Sequence, residues 1–140
     1  MAYNATQWEG AENDGHPFYA VETLPVDKRK LNKVALVAGI NDLFWKETVA
    51  KTKKEYHKYH STIKATRIFC VGIPEITSNN SLLPKIQELN AAIKKICGEK
   101  YYIDTWKIRF TSIDGEHPDD AMNALIEQAI LAADGKINVN

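Results

Sequence analysis

Three short apolar runs, each followed by a longer stretch with helical spacing, constrain this chain more than any other feature. The runs are 34–38 (VALVA), 66–73 (TRIFCVGI) and 101–104 (YYID). The first is unbroken and suits a strand covered on both faces, the second is β-rich, and the third is a shorter strand candidate. The first ends at Gly39, and residues 43–64 then run without Gly or Pro, with Phe44, Val49, Tyr56, Tyr59 and Ile63 forming an imperfect stripe among lysines. The second closes at Pro74, and 81–95 carries Leu82, Leu83, Ile86, Leu89, Ile93 and Ile96 at spacings of three and four. Gly98 is placed to end that helix with a left-handed cap. After a polar loop, 111–120, Pro118 opens a last helix with an apolar face of Met122, Leu125, Ile126, Ala129 and Ile130, expected to end near Gly135. The alternation predicts an α/β fold: a three-layer αβα sandwich with a parallel sheet, in one domain over residues 1–140. Residues 1–32 are the least regular, read as a functional loop followed by a short helix or irregular stretch at 18–24.

Composition narrows the function classes. Eighteen Lys+Arg against 18 Asp+Glu leave no net charge on 140 residues, which excludes a basic nucleic-acid-binding surface as the leading reading. With 44% hydrophobic residues the chain can bury a core, yet no stretch approaches the roughly 20 apolar residues of a membrane span. The start, MAYNATQWEG, lacks the basic and apolar regions of a secretory signal, and the compartment stays open. Cys70 and Cys97 form no CxxC and no metal spacing, and are expected to be free, buried thiols. Lys51, Lys53, Lys54, Lys58 and Lys64, interleaved with Glu47 and Glu55, read as a solvated helix face. His57 and His60 stand three apart with no acidic or cysteine third ligand beside them in sequence, so no metal and no cofactor are expected. His16 in the early loop reads as solvated.

In open parallel sheets the site lies beyond the carboxyl ends of the strands. Gly39-Ile40-Asn41-Asp42 follows the first strand, and Asp114-Gly115-Glu116-His117-Pro118 follows the last. An acid three residues before a histidine can reach back through a tight turn and accept the Nδ1 proton, leaving Nε2 free as a general base. Asn41 offers an amide NH2 that can donate to a developing oxyanion. Each motif also has a plainer reading, a helix N-cap for Asn41-Asp42 and an ordinary turn for 114–118.

VALVAGINDL resembles the third conserved block of the SGNH, or GDSL-type, hydrolases, and DGEHP resembles their last block. IQELNAAIKKI, with Leu89-Asn90, is similar to the segment these proteins carry before their final strand. The resemblance spans about residues 34–131 and implies a flavodoxin-like sheet and a metal-free esterase, lipase or carbohydrate O-deacetylase. It also implies Asn41 as oxyanion-hole amide, His117 as base and Asp114 as its orienter. Gly10 would be the second oxyanion-hole donor through its backbone N–H, with Gly15 in reserve. The family's first block, a strand ending in Gly-Asp-Ser, is not found here, so the nucleophile is unknown and the domain is expected to be N-terminally incomplete.

The serines are Ser61, Ser78, Ser81 and Ser112. Ser61 lies near a helix end, and Ser78 and Ser81 look like helix caps. Ser112 is close to the histidine loop, whereas a nucleophile comes from a separate element. Cys70 as a substitute thiol falls inside a strand run. A sheet without its first strand leaves an unpaired edge, so another copy, a companion chain or rebuilt N-terminal residues are expected to complete it. The expected substrate is a small ester or an acetylated carbohydrate, since Trp8, Phe18, Phe44, Trp45 and Trp106 could line a cleft, although each taken singly suits the core. The alternative is a non-catalytic structural or binding module, a pseudoenzyme or particle component. A nucleotide-binding flavodoxin-like domain is disfavoured because no Gly-rich phosphate loop follows a strand.

Overall fold

The computed structural model describes residues 31–38 and 48–138. Their elements alternate as expected: β1 (Leu31–Leu36), α1 (Val49–Thr62), β2 (Ala65–Val71), α2 (Leu83–Cys97), β3 (Tyr102–Ile103) and α3 (Asp120–Asn138). The three strands form a parallel sheet in the order β1-β2-β3, with Leu36 opposite Cys70, and Cys70 opposite Tyr102.

Both faces of the sheet are covered, as the unbroken apolar run at 34–38 implies. Successive side chains of a strand point to opposite faces. Leu36 and Cys70 pack on one side with Tyr56 of α1 and Ile86, Leu89 and Ile93 of α2. Phe69, Val71 and Ile103 pack on the other with Met122 and Ile126 of α3. The arrangement is therefore αβα, two helices over one face and one over the other. Ile86, Leu89 and Ile93 are wholly inaccessible, and burying each such side chain contributes about 1.5–3 kcal/mol.

Local chemistry sets where elements start and stop. Thr48 caps α1, its Oγ1 accepting from Lys51 N at 3.1 Å. Before α2, Asn79 rather than Ser78 or Ser81 is the cap: its Oδ1 accepts from Ser81 N at 3.1 Å and opens a 3-10 turn over Asn80–Leu82. Gly98 ends α2 with φ +93° but ψ 143°, an extended exit rather than the left-handed cap expected. β3 has only two residues, because Asp104 Oδ1 accepts from Trp106 N at 3.1 Å and turns the chain into a 3-10 helix, Thr105–Lys107. At α3 the cap is Asp119, whose Oδ1 accepts from Met122 N at 2.9 Å, and Pro118 lies just outside the helix.

α3 passes through Gly135 and runs to Asn138. Asp134, one residue earlier, is buried and meets two cations from the sheet, Lys33 Nζ of β1 at 2.6 Å and the Arg67 guanidinium of β2. These contacts, with Ile137 against the core, hold the last turn that glycine alone would loosen. Leu125, expected on the buried stripe, sits at its margin and is 45% exposed.

The Lys33 ammonium, then the Arg67 guanidinium, hold the Asp134 carboxyl below its ordinary value of 3.8. A depressed carboxylate contributes stability above its unfolded pKa and loses it as pH falls through the folded one. The Tm difference between the wild type and Asp134→Asn is therefore expected to be constant from pH 7 to about 5 and to shrink below about pH 4. Thermal melts across that range check it, and a difference that grows in acid would contradict the assignment.

The two cysteines are not free thiols. Cys70 and Cys97 form a disulfide across 27 residues of sequence. Cys70 faces the α2 side of the sheet and Cys97 closes α2, so packing the helix on the strand brings together two sulfurs whose separation in sequence signals nothing.

Candidate active site

Beyond the carboxyl end of β2 the chain makes a turn whose backbone is held from three elements. Gly72 N donates to Ile103 O at 2.9 Å, and Thr105 Oγ1 donates to Gly72 O at 2.8 Å. Asn90, buried on α2, grips Ile73 at both ends: Oδ1 accepts from Ile73 N and Nδ2 donates to Ile73 O, each at 2.8 Å. Trp106 Nε1 adds a second donor to Ile73 O at 2.9 Å. Buried peptide groups require such partners. Farther along, the amides of Thr77 and Ser78 both donate to Gly115 O at 2.9 Å. The turn after β2 is thus the platform on which residues 114–118 rest.

That second loop is closed on itself by one carboxylate. Asp114 Oδ1 accepts from the amides of Glu116 and His117, each at 2.8 Å, and Oδ2 lies 2.7 Å from His117 Nδ1. The His117 amide, the His117 ring and the Glu116 amide, with a smaller contribution from the Ser112 hydroxyl, hold the Asp114 carboxyl well below the usual carboxylate range. An ionised carboxylate only accepts, so the proton of the neutral ring sits on Nδ1 and Nε2 keeps its lone pair. Nε2 makes no hydrogen bond among the described residues; Glu116 Oε1 is 4.0 Å away. Both side chains are open to solvent, His117 at 55% and Asp114 at 53%. The arrangement can accept a proton from a group brought to Nε2.

Gly115 has φ +80°, and a Cβ there would stand 3.0 Å from Thr77 Oγ1 and 3.1 Å from Ser78 N. Gly115→Ala is expected to cost about 1–3 kcal/mol in urea unfolding, from backbone strain and the clash together. It should also broaden the His117 ring resonances, because the same peptide ties the loop to its platform. Unchanged stability and unchanged resonances would contradict this.

Of the site residues expected from sequence, the structure brings Asp114 and His117 together, while Asn41, Gly10 and the reserve Gly15 lie outside the described residues. Trp8, Phe18, Phe44, Trp45 and His16 lie outside them as well, and Trp106 serves the platform. All four serines are described, and none hydrogen-bonds the His117 ring. Ser61 Oγ donates to Lys58 O, and Ser81 Oγ to Asn79 Oδ1. Ser78 supports Gly115 through its amide. Ser112 Oγ lies 3.0 Å from Asp114 Oδ1, accepts from Gly115 N and is within donating distance of the His117 carbonyl, so its partners are the carboxylate and the backbone of the loop. Cys70 is committed to the disulfide.

Sequence reasoning named Asn90 and Trp106 in other connections and missed their part, and that of Thr105, in the platform. One signal was available: an asparagine on the apolar side of an amphipathic helix must find buried partners. Comparison with protein-family models, curated proteins and solved structures finds no match to the chain. No helix among the described residues is long and apolar enough to cross a membrane.

Proposed function

We propose that this chain is an SGNH-hydrolase-like domain of flavodoxin-like type that supplies the acid–base half of a serine esterase site. The observation that carries the reading is the 2.7 Å contact between Asp114 and His117 Nδ1, on a loop beyond β3, with Nε2 hydrogen-bonded to no described residue and Glu116 Oε1 4.0 Å from it. His117 would take the proton of a serine hydroxyl as that oxygen attacks the ester carbonyl, and return it to the leaving alcohol. Water, deprotonated in the same way, would release the acyl group. Asn41 and the Gly10 amide are proposed as donors to the oxyanion. The substrate class is a short ester, such as an O-acetylated carbohydrate.

None of the chain's four serines hydrogen-bonds the His117 ring, so the nucleophile is proposed to come from another polypeptide segment. The described sheet has room for one: the second edge of β1 pairs with no described residue. The same arrangement without a companion serine is a non-catalytic binding or structural module.

Fluorophosphonate labelling with p-nitrophenyl acetate turnover separates these readings. The purified chain is expected to show no labelled serine and no ester turnover beyond that of free imidazole. Incubated with extract of its source cells, tagged wild-type chain should recover a partner whose serine is labelled, and His117→Ala chain should recover the same partner unlabelled. Recovery without His117-dependent labelling would favour the non-catalytic module.

A further inference from the structure

We propose that His60, Cys70 and Cys97 form a zinc site when the disulfide is reduced. The three residues come from α1, β2 and the end of α2, and their ligand atoms all lie within 4.8 Å of one another. A tetrahedral zinc with Zn–S about 2.3 Å and Zn–N about 2.0–2.1 Å needs its ligand atoms roughly 3.5–3.8 Å apart, so from a spacing of up to 4.8 Å the sulfurs must part and the His60 ring must close in on them. Cys70 is wholly buried, whereas His60 and Cys97 are partly exposed. One side of the cluster therefore reaches solvent, where a water could take the fourth position. The His60 ring makes no hydrogen bond among the described residues. Two thiolates and an imidazole are a donor set that zinc accepts readily.

Reaching that state breaks the Sγ–Sγ bond. A phosphine reductant takes its oxygen from water and becomes a phosphine oxide, and the two hydrogens of that water end on the two sulfurs. Zinc then displaces both protons as the thiolates bind, while His60 contributes a lone pair without proton release. The two states differ mechanically. The disulfide joins β2 to α2, whereas the metal would also tie in α1, linking three elements of one side of the sheet.

The test is anaerobic titration of the full chain, reduced with a phosphine, with Co²⁺ and then Zn²⁺. Expected is a thiolate-to-cobalt charge-transfer band that saturates at one equivalent and is bleached by Zn²⁺. Zinc should raise the Tm of the reduced chain with rising concentration and shield both cysteines from alkylation, read by mass spectrometry. The oxidised chain should take up neither metal. Cys97→Ser, at a partly exposed position, should abolish the band, and His60→Ala should weaken zinc binding at least tenfold with unchanged circular dichroism. Shielding by zinc is read on the unmutated chain, so it does not depend on either variant folding. A reduced chain with two titratable thiols and no metal uptake would overturn the proposal. So would a band that survives either substitution unchanged, or a disulfide that yields only when the chain unfolds.

Discussion

Asp114→Asn is expected to move the ring proton of His117 from Nδ1 to Nε2 and, in the proposed serine-completed site, to lower kcat roughly 10⁴-fold. The reason lies in how the carboxylate is shared. Oδ1 accepts from two backbone amides, and Oδ2 faces Nδ1. A carboxamide can keep the two amide bonds only by placing its oxygen at the Oδ1 position, which turns its NH2 toward Nδ1. Nδ1 must then accept, the proton moves to Nε2, and the base is gone while the loop is retained. Long-range ¹H–¹⁵N correlation of the ring nitrogens reads the tautomer on the chain alone. A wild-type ring already protonated at Nε2 would refute the assignment of His117 as a base, whatever the source of the serine. Ester turnover of the completed site measures the kinetic half of the prediction.

Asn90→Ala is expected to destabilise the fold by about 2–4 kcal/mol in urea unfolding, the largest effect of any single polar residue described. The substitution leaves the buried Ile73 amide without an acceptor, whereas Ile73 O keeps its bond from Trp106. It also opens a void beside Leu89 and Ile93, which are completely buried. The effect should travel, because Ile73 begins the turn that carries Thr77 and Ser78 to Gly115. Faster hydrogen exchange at the Thr77 and Ser78 amides in the variant, at matched native population, checks that step. Retention of wild-type exchange there would mean that the platform is held by Trp106 and Thr105 without Asn90.

Much of this was legible along the chain because it is local. The apolar runs and the three- and four-residue spacings mark strands and helices through side-chain direction alone. The Asp114–His117 contact joins residues three apart through one turn, so its pairing can be read from the sequence even though the platform that holds the loop cannot. Boundaries were less readable. β3 is cut to two residues by the Asp104 cap, and α3 continues past Gly135 because Asp134 is anchored elsewhere.

Three arrangements could not be read at all. The grip of Asn90 on Ile73 spans 17 residues, the Cys70–Cys97 bond 27, and the Lys33–Asp134 pair 101. Each depends on which helix lies over which strand and at what height, a choice made by packing the whole core. The sequence by itself therefore determined the αβα order and the acid–histidine turn, because periodicity and turn chemistry act within a few residues. Only the tertiary structure decided what holds that turn in place, and that His60 and two distant cysteines share one small volume, because those neighbours exist only once both faces of the sheet are covered.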